Sequence, residues 1–266
     1  MLKPVLTLYN NAYSTCSQKV RLVLAEKDLP WEDRQIIFKN NEHLTQEYLA
    51  LNPNGVVPTL VHEVPPDRHV ILDSSVIIEY LDDVFPKVPM APRGAPGRAH
   101  LRKWLRYFEE VATPAVRPPS FNQAFVMRFE QLSDVEFAAA ADARPLRKHF
   151  YMRMGKSGFS DDDLTVAYDG FRQTAQRMEA ALANDAWLCG SERPSIADCC
   201  VAPLFDRMDD LGLADLWASS ARVIDWLARF RARPSWQTTF YQGARLSDTL
   251  NQLHHRLRKP EDIAFC

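Results

Sequence analysis

Positions 10 to 21 read Asn-Asn-Ala-Tyr-Ser-Thr-Cys-Ser-Gln-Lys-Val-Arg, which sets four hydroxyl or thiol side chains, Ser14, Thr15, Cys16 and Ser17, at the start of a helical pattern. The first turn of a helix exposes unpaired backbone N–H groups and carries partial positive charge, so it stabilises a nearby anion and lowers a thiol pKa. Ser14, Cys16 and Ser17 are therefore candidates for thiolate chemistry. Serine at 14 or 17 also fits a plain N-cap. No C-x-x-C surrounds Cys16, which leaves a monothiol route through a mixed disulfide as its exchange chemistry.

Two further groups look built to hold something extended and charged. Val56-Val57-Pro58-Thr59-Leu60 opens a strand, where Pro58 fits if its peptide bond is cis and the backbone before it is exposed at a turn. In that geometry the N–H and C=O of Val57 can pair with an extended peptide as an added strand would. Asp73 and Ser74 open another helical pattern, running on to Leu81. Ser74 can take a carboxylate through its N–H and hydroxyl, and Asp73 an ammonium; an α-amino acid head group presents both. As a bare helix cap the same pair would also make sense.

These groups need elements to position them. Val5 to Tyr9 reads as a buried strand, Val20 to Lys27 as a helix with its apolar residues on one side, and Trp31 to Phe38 as a second strand. Two short strands joined by such a helix must run parallel through a right-handed crossover. His43 to Leu51 reads as a short helix, Thr59 to Val64 with His69 to Leu72 as a hairpin around Pro65-Pro66-Asp67, and Ser74 to Val84 as a helix. The succession β-α-β-α-β-β-α is a thioredoxin-like layout. Four prolines from Pro86 to Pro96 mark a linker. Beyond it the apolar spacing is helical over Ala99 to Val111, Asp162 to Ala183, Ile196 to Asp209 and Val223 to Ala232, while Pro114 to Phe159 reads as a helix-loop insertion. The expected fold is α/β plus all-α: residues 1–86 thioredoxin-like, 87–97 linker, 98–250 a helical bundle, and 251–266 a surface tail.

Composition narrows the classes. A net charge of -2 over 266 residues offers no basic field for nucleic acid. No apolar run approaches a membrane span, and the N-terminus lacks a secretory pattern, so a cytoplasmic protein is expected. Five cysteines, an odd number without zinc-like spacing, point to reduced thiols and no metal; Cys199 and Cys200 read as packing on a buried helix.

Together these motifs resemble the glutathione transferase family over most of the chain. The Tyr13 to Arg21 turn is similar to the catalytic serine turn of the zeta class and of bacterial tetrachlorohydroquinone dehalogenases. His43-Leu44-Thr45 with Leu51-Asn52-Pro53 resembles a theta-class stretch whose histidine meets the glycine end of glutathione. Val57-Pro58 matches the cis-proline turn, Asp73-Ser74 the pair for the γ-glutamyl group, and Ser195 to Asp198 a structural capping box. Position 56 is valine where many relatives carry Lys or Gln. The resemblance implies glutathione as cosubstrate, a thiolate stabilised by Ser14 ahead of Cys16 and Ser17, and a homo- or heterodimer. A small electrophilic, aromatic second substrate would sit near some of Trp104, Tyr107, Phe108, Phe121, Phe125, Phe150 and Tyr151. Gln131 to Phe137, Pro145 and Gly158-Phe159 are similar to bacterial glutathione-dependent β-etherases, which implies cleavage of lignin-derived aryl ethers, with Arg117 or Arg128 for a phenolate or carboxylate. The alternatives are a reductive dehalogenase using Cys16, an isomerase, or a binding protein without catalysis.

Overall fold

The computed structural model describes residues 5–249; the expected tail at 251–266 lies outside them. Four strands, β1 (Leu6–Asn10), β2 (Glu32–Gln35), β3 (Thr59–Val64) and β4 (Asp67–Leu72), form one sheet in the order β2-β1-β3-β4. β1 and β2 run parallel, while β3 is antiparallel to both β1 and β4. Helices α1 (Thr15–Glu26), α2 (Gln46–Leu51) and α3 (Ser74–Val84) complete the thioredoxin-like layer. Leu6, Leu8, Leu60, Ile77, Ile78 and Leu81 are removed from water where sheet and helices meet.

The helical part comprises α4 (Ala95–Tyr107), α5 (Thr113–Ala124), α6 (Asp134–Asp142), α7 (Lys148–Met154), α8 (Asp161–Ala181), α9 (Ile196–Asp210), α10 (Ala221–Arg231), α11 (Pro234–Thr239) and α12 (Leu246–Thr249). The Ser195 capping box forms as expected, and Asp198 also accepts from Trp226 Nε1 at 2.8 Å.

One expectation changes, and two others gain detail. α1 is buried from Ser17 through Leu24, not on one side, because α9 and α11 cover the side turned away from the sheet. Its polar residues Gln18, Lys19 and Arg21 therefore need partners inside the protein. The stretch after Pro114 begins as helix: α4 passes through a π-helical segment, Phe108–Ala112, into α5, which tolerates Pro118 and Pro119 because Ala115, Val116, Pro119 and Ala124 pack inward. The proline-rich linker is pinned. Asp82 accepts from Met90 N–H and Ala91 N–H, both at 2.9 Å, and Lys27 bonds Asp82 and the Val88 carbonyl at 2.6 Å.

Candidate active site

Strand register brings four separate loops to one end of the sheet. Tyr9 pairs with Thr59 and Thr59 with Leu72, while Asn10 pairs with Gln35. The Ser14 turn, Val57-Pro58, Asp73-Ser74 and the segment leading to His43 thus leave or enter the sheet at the same edge, where ligands of such folds bind.

Ser14 is the N-cap of α1, its Oγ accepting from Ser17 N–H at 3.3 Å. That hydroxyl donates to no described residue, and the N–H groups of Thr15 and Cys16 have no partner among them. Cys16 is half-buried beside them. Ser17, by contrast, is fully buried, its Oγ accepting from Asn11 N–H at 3.3 Å.

Motif reading passes over the residues that hold this turn from behind. Arg21 donates to Asn10 Oδ1 at 2.6 Å and to the carbonyls of Asn11 and Ala12 at 3.2 and 2.5 Å. Arg207 of α9 donates to the Tyr13 carbonyl, and Gln18 joins the carbonyls of Ala12 and Ala244. With the carbonyls of residues 11 to 13 engaged by these donors, the turn is fixed, and the N–H groups of Thr15 and Cys16 are left without a partner among the described residues.

The Val57–Pro58 peptide is cis, and the N–H and C=O of Val57 are unpaired among the described residues. Tyr48 and Asn52 brace this loop, donating to the Val56 carbonyl at 2.7 and 2.8 Å and meeting Thr59 Oγ1 at 3.0 and 2.9 Å. Asp73 is exposed at φ 70, a strained conformation for a non-glycine residue, and Oδ1 caps α3 through Ser75 N–H at 2.9 Å. Its Oδ2 and the Ser74 hydroxyl have no partner among the described residues.

His43 packs edge-on against Phe38 at 4.9 Å, with its Nδ1 buried and unpaired. Burial, then the charges of Arg144 and Arg128, push its pKa down to about 4. In the unfolded chain it should titrate near 6.5, so below that pH the unfolded state takes up the proton first. Stability from His43 is thus complete above about pH 6.5 and is lost as pH falls toward 4. Urea unfolding midpoints measured across this window should fall less in His43→Asn than in the parent; an unchanged slope would contradict the buried neutral histidine.

From the helical half, Phe125 approaches Tyr13 at 5.9 Å, and Phe121 touches Phe125, Phe150 and Tyr151 at 5.0, 4.7 and 5.8 Å. These four rings are half-buried. Trp104 and Phe108 instead stack at 5.2 Å within the main core, and the Tyr107 hydroxyl is bonded to Gln173 and Thr174, so this trio does not line the cleft. Cys199 and Cys200 are fully buried; burial pushes the Cys200 thiol up to about 12.

A thioredoxin-like sheet thus presents a capped helix start, an unpaired cis-proline loop and an acid-serine pair beside a helical half. Residues 13–84 match the glutathione S-transferase N-terminal domain and residues 136–229 the glutathione S-transferase C-terminal domain. The chain belongs to the glutathione S-transferase family. It is 25% identical to glutathione S-transferase TCHQD of Arabidopsis thaliana, over 91% of this chain and 93% of the relative. It is 26% identical to protein LigF of Sphingobium sp. strain SYK-6, over 90% and 95% of the two chains. The crystal structure of the β-etherase LigF superposes with a TM-score of 0.77, covering 89% of this chain and 98% of LigF. FtsZ-localized protein A of Caulobacter vibrioides is 24% identical over 86% of this chain and 87% of its own.

Proposed function

We propose that this protein is a glutathione-dependent enzyme in which the thiolate of glutathione, stabilised by Ser14 at the start of α1, attacks an electrophilic aromatic substrate. The observation that carries this is the set of unpaired groups gathered at one sheet edge: the Ser14 hydroxyl proton, the Thr15 and Cys16 N–H groups, the Val57 backbone, and Asp73 Oδ2 with Ser74. Each has a use. Asp73 takes the γ-glutamyl ammonium and Ser74 its carboxylate, Val57 pairs with the cysteinyl backbone, and the glycine carboxylate lies by His43, where Arg128 and Arg144 supply the charge a neutral histidine lacks. The solved relatives of this fold include glutathione transferases with glutathione bound. Ser17, buried and already engaged, has only a supporting part.

The narrower reading is β-aryl ether cleavage, supported by the likeness to LigF and by the ring cluster of Phe121, Phe125, Phe150 and Tyr151 beside Tyr13. Sulfur displaces aryl oxide from the carbon next to a ketone: a C–S bond forms, the C–O bond breaks, and the phenolate takes the electron pair. Incubation with glutathione and a β-aryl-ether ketone should release one phenol per thioether, undiminished in Cys16→Ser. Consumption of a chlorinated hydroquinone instead, abolished by Cys16→Ser, would replace the etherase with a dehalogenase. The likeness to FtsZ-localized protein A favours a second reading, a binding protein; retention on immobilised glutathione without turnover of any electrophile would select it. A cytoplasmic location is part of the same proposal; no helix among the described residues is long and apolar enough to cross a membrane. Two subunits would pair with the sheet half of one, where Val64, Val70 and Val76 are exposed, against the helical half of the other, and a monomer in sedimentation at micromolar concentration would refute the pairing.

A further inference from the structure

Helix α5 runs along the start of α1. Thr113 accepts from Lys19 Nζ at 3.2 Å, and three turns later Phe125 meets Tyr13 at 5.9 Å. Arg117 follows Thr113 by one helical turn and Cys16 precedes Lys19 by one, so the two stand at the same level across the cleft. The ionisable groups near the half-buried Arg117 guanidinium are Arg147, Cys16, Glu109 and Asp73. Phe121, a turn beyond Arg117, touches Phe150 and Tyr151, which follow Arg147 by about one turn on α7. Packing of α5 on α7 thereby draws Arg117 and Arg147 together. Neither guanidinium makes a hydrogen bond or ion pair with a described residue. Burial, then the like charge of Arg147, lowers the pKa of Arg117. Two neighbouring guanidinium groups with no carboxylate of a described residue at ion-pair distance, Glu109 and Asp73 acting only from farther off, repel each other in a partly dry cleft, and an anion placed between them relieves that repulsion.

We propose that the electrophile of this enzyme carries a carboxylate that seats between Arg117 and Arg147, with its aromatic body against Phe121 and Phe125. The guanidinium fork suits a carboxylate bidentately, and the seat lies across from Cys16, beside the place assigned above to the glutathione sulfur. The inference rests on the glutathione-thiolate reading and adds the charge of the substrate to it.

A matched pair of aryl chlorides tests it: a chlorodinitrobenzoate and the corresponding chlorodinitrobenzamide, equal in shape and differing in charge. The parent should favour the benzoate by roughly 10- to 100-fold in kcat/KM, the scale of charged hydrogen bonds, after normalising each compound to its uncatalysed rate with glutathione. In Arg117→Gln and in Arg147→Gln that ratio should collapse toward one, and Arg117→Lys should restore part of it. Equal rates for both compounds in the parent would overturn the proposal, as would an Arg117→Gln defect confined to the glutathione KM, which would assign the arginine to glutathione's own carboxylates. Calorimetric binding of the two preformed glutathione conjugates separates the levels of failure. Preference for the carboxylate conjugate supports the seat even without turnover, equal affinity removes the seat alone, and no binding of either removes the glutathione reading with it.

Discussion

Replacing Ser14 with alanine is expected to lower kcat by roughly 100- to 1,000-fold, the loss seen when one donor to a reactive anion is removed, while the glutathione KM changes little. The Ser14 proton is the unspent donor at the helix start, whereas Asp73, Ser74, Val57 and His43 hold the rest of the peptide. Because Ser14 also caps α1, the alanine variant should lose about 0.5–2 kcal/mol of stability. Ser14→Asp keeps the cap but sets a negative charge against the thiolate, so it should be folded and equally inactive. Ultraviolet titration of bound glutathione should show the thiol pKa rising in both variants. The assignment is rejected if Ser17→Ala removes turnover and Ser14→Ala does not.

A second large effect is expected at Glu109. The Lys19 ammonium is wholly buried, held by Glu109 at 2.6 Å and Thr113 at 3.2 Å, while the Glu109 side chain keeps 28% exposure. Burial opposes the lysine charge, but the Glu109 carboxylate in direct contact offsets it and keeps Lys19 protonated. Glu109→Ala strands that charge in the interior, a change worth about 3–5 kcal/mol against a typical total near 5–15 kcal/mol. Denaturant unfolding should show the loss, and the pair Lys19→Met with Glu109→Leu should recover much of it. A loss below about 1 kcal/mol in Glu109→Ala would mean that Thr113 and solvent suffice to hold the lysine.

Much of the layout was legible because local chemistry speaks plainly at element ends. Ser74 to Val84 emerges with the expected bounds, since Asp73 caps it and its apolar spacing is regular. The capping box at Ser195 carries its own two partners within four residues. Helix α5 was obscured by Pro118 and Pro119, whose local preference is overruled by packing on α8 and α9. Least legible were Gln18, Lys19 and Arg21. Their polarity gives no sign of burial, and the partners that bring them inside include positions 244, 109 and 239, far along the chain. Of the candidate site, the serine turn, the cis-proline and the acid-serine pair could be read from motifs; the bracing by Tyr48, Asn52 and Arg207 depends on the fold.

The clamp on the Ser14 turn also sets an order of events during synthesis. Asn10 and Ser14 leave the ribosome early, but Arg207, the Thr239 carbonyl and the Ala244 carbonyl that complete their support come from the far end of the chain. At about 5–20 residues per second, the interval between Gln18 and Ala244 lasts roughly 10–45 s. Through that time α1 lacks the covering of α9 and α11, and its buried cations have only the sheet and water for company. The nascent thioredoxin-like half can pair its strands, but its thiol-binding turn becomes rigid only when the last helices arrive, so a prematurely released chain carries the motif without the site.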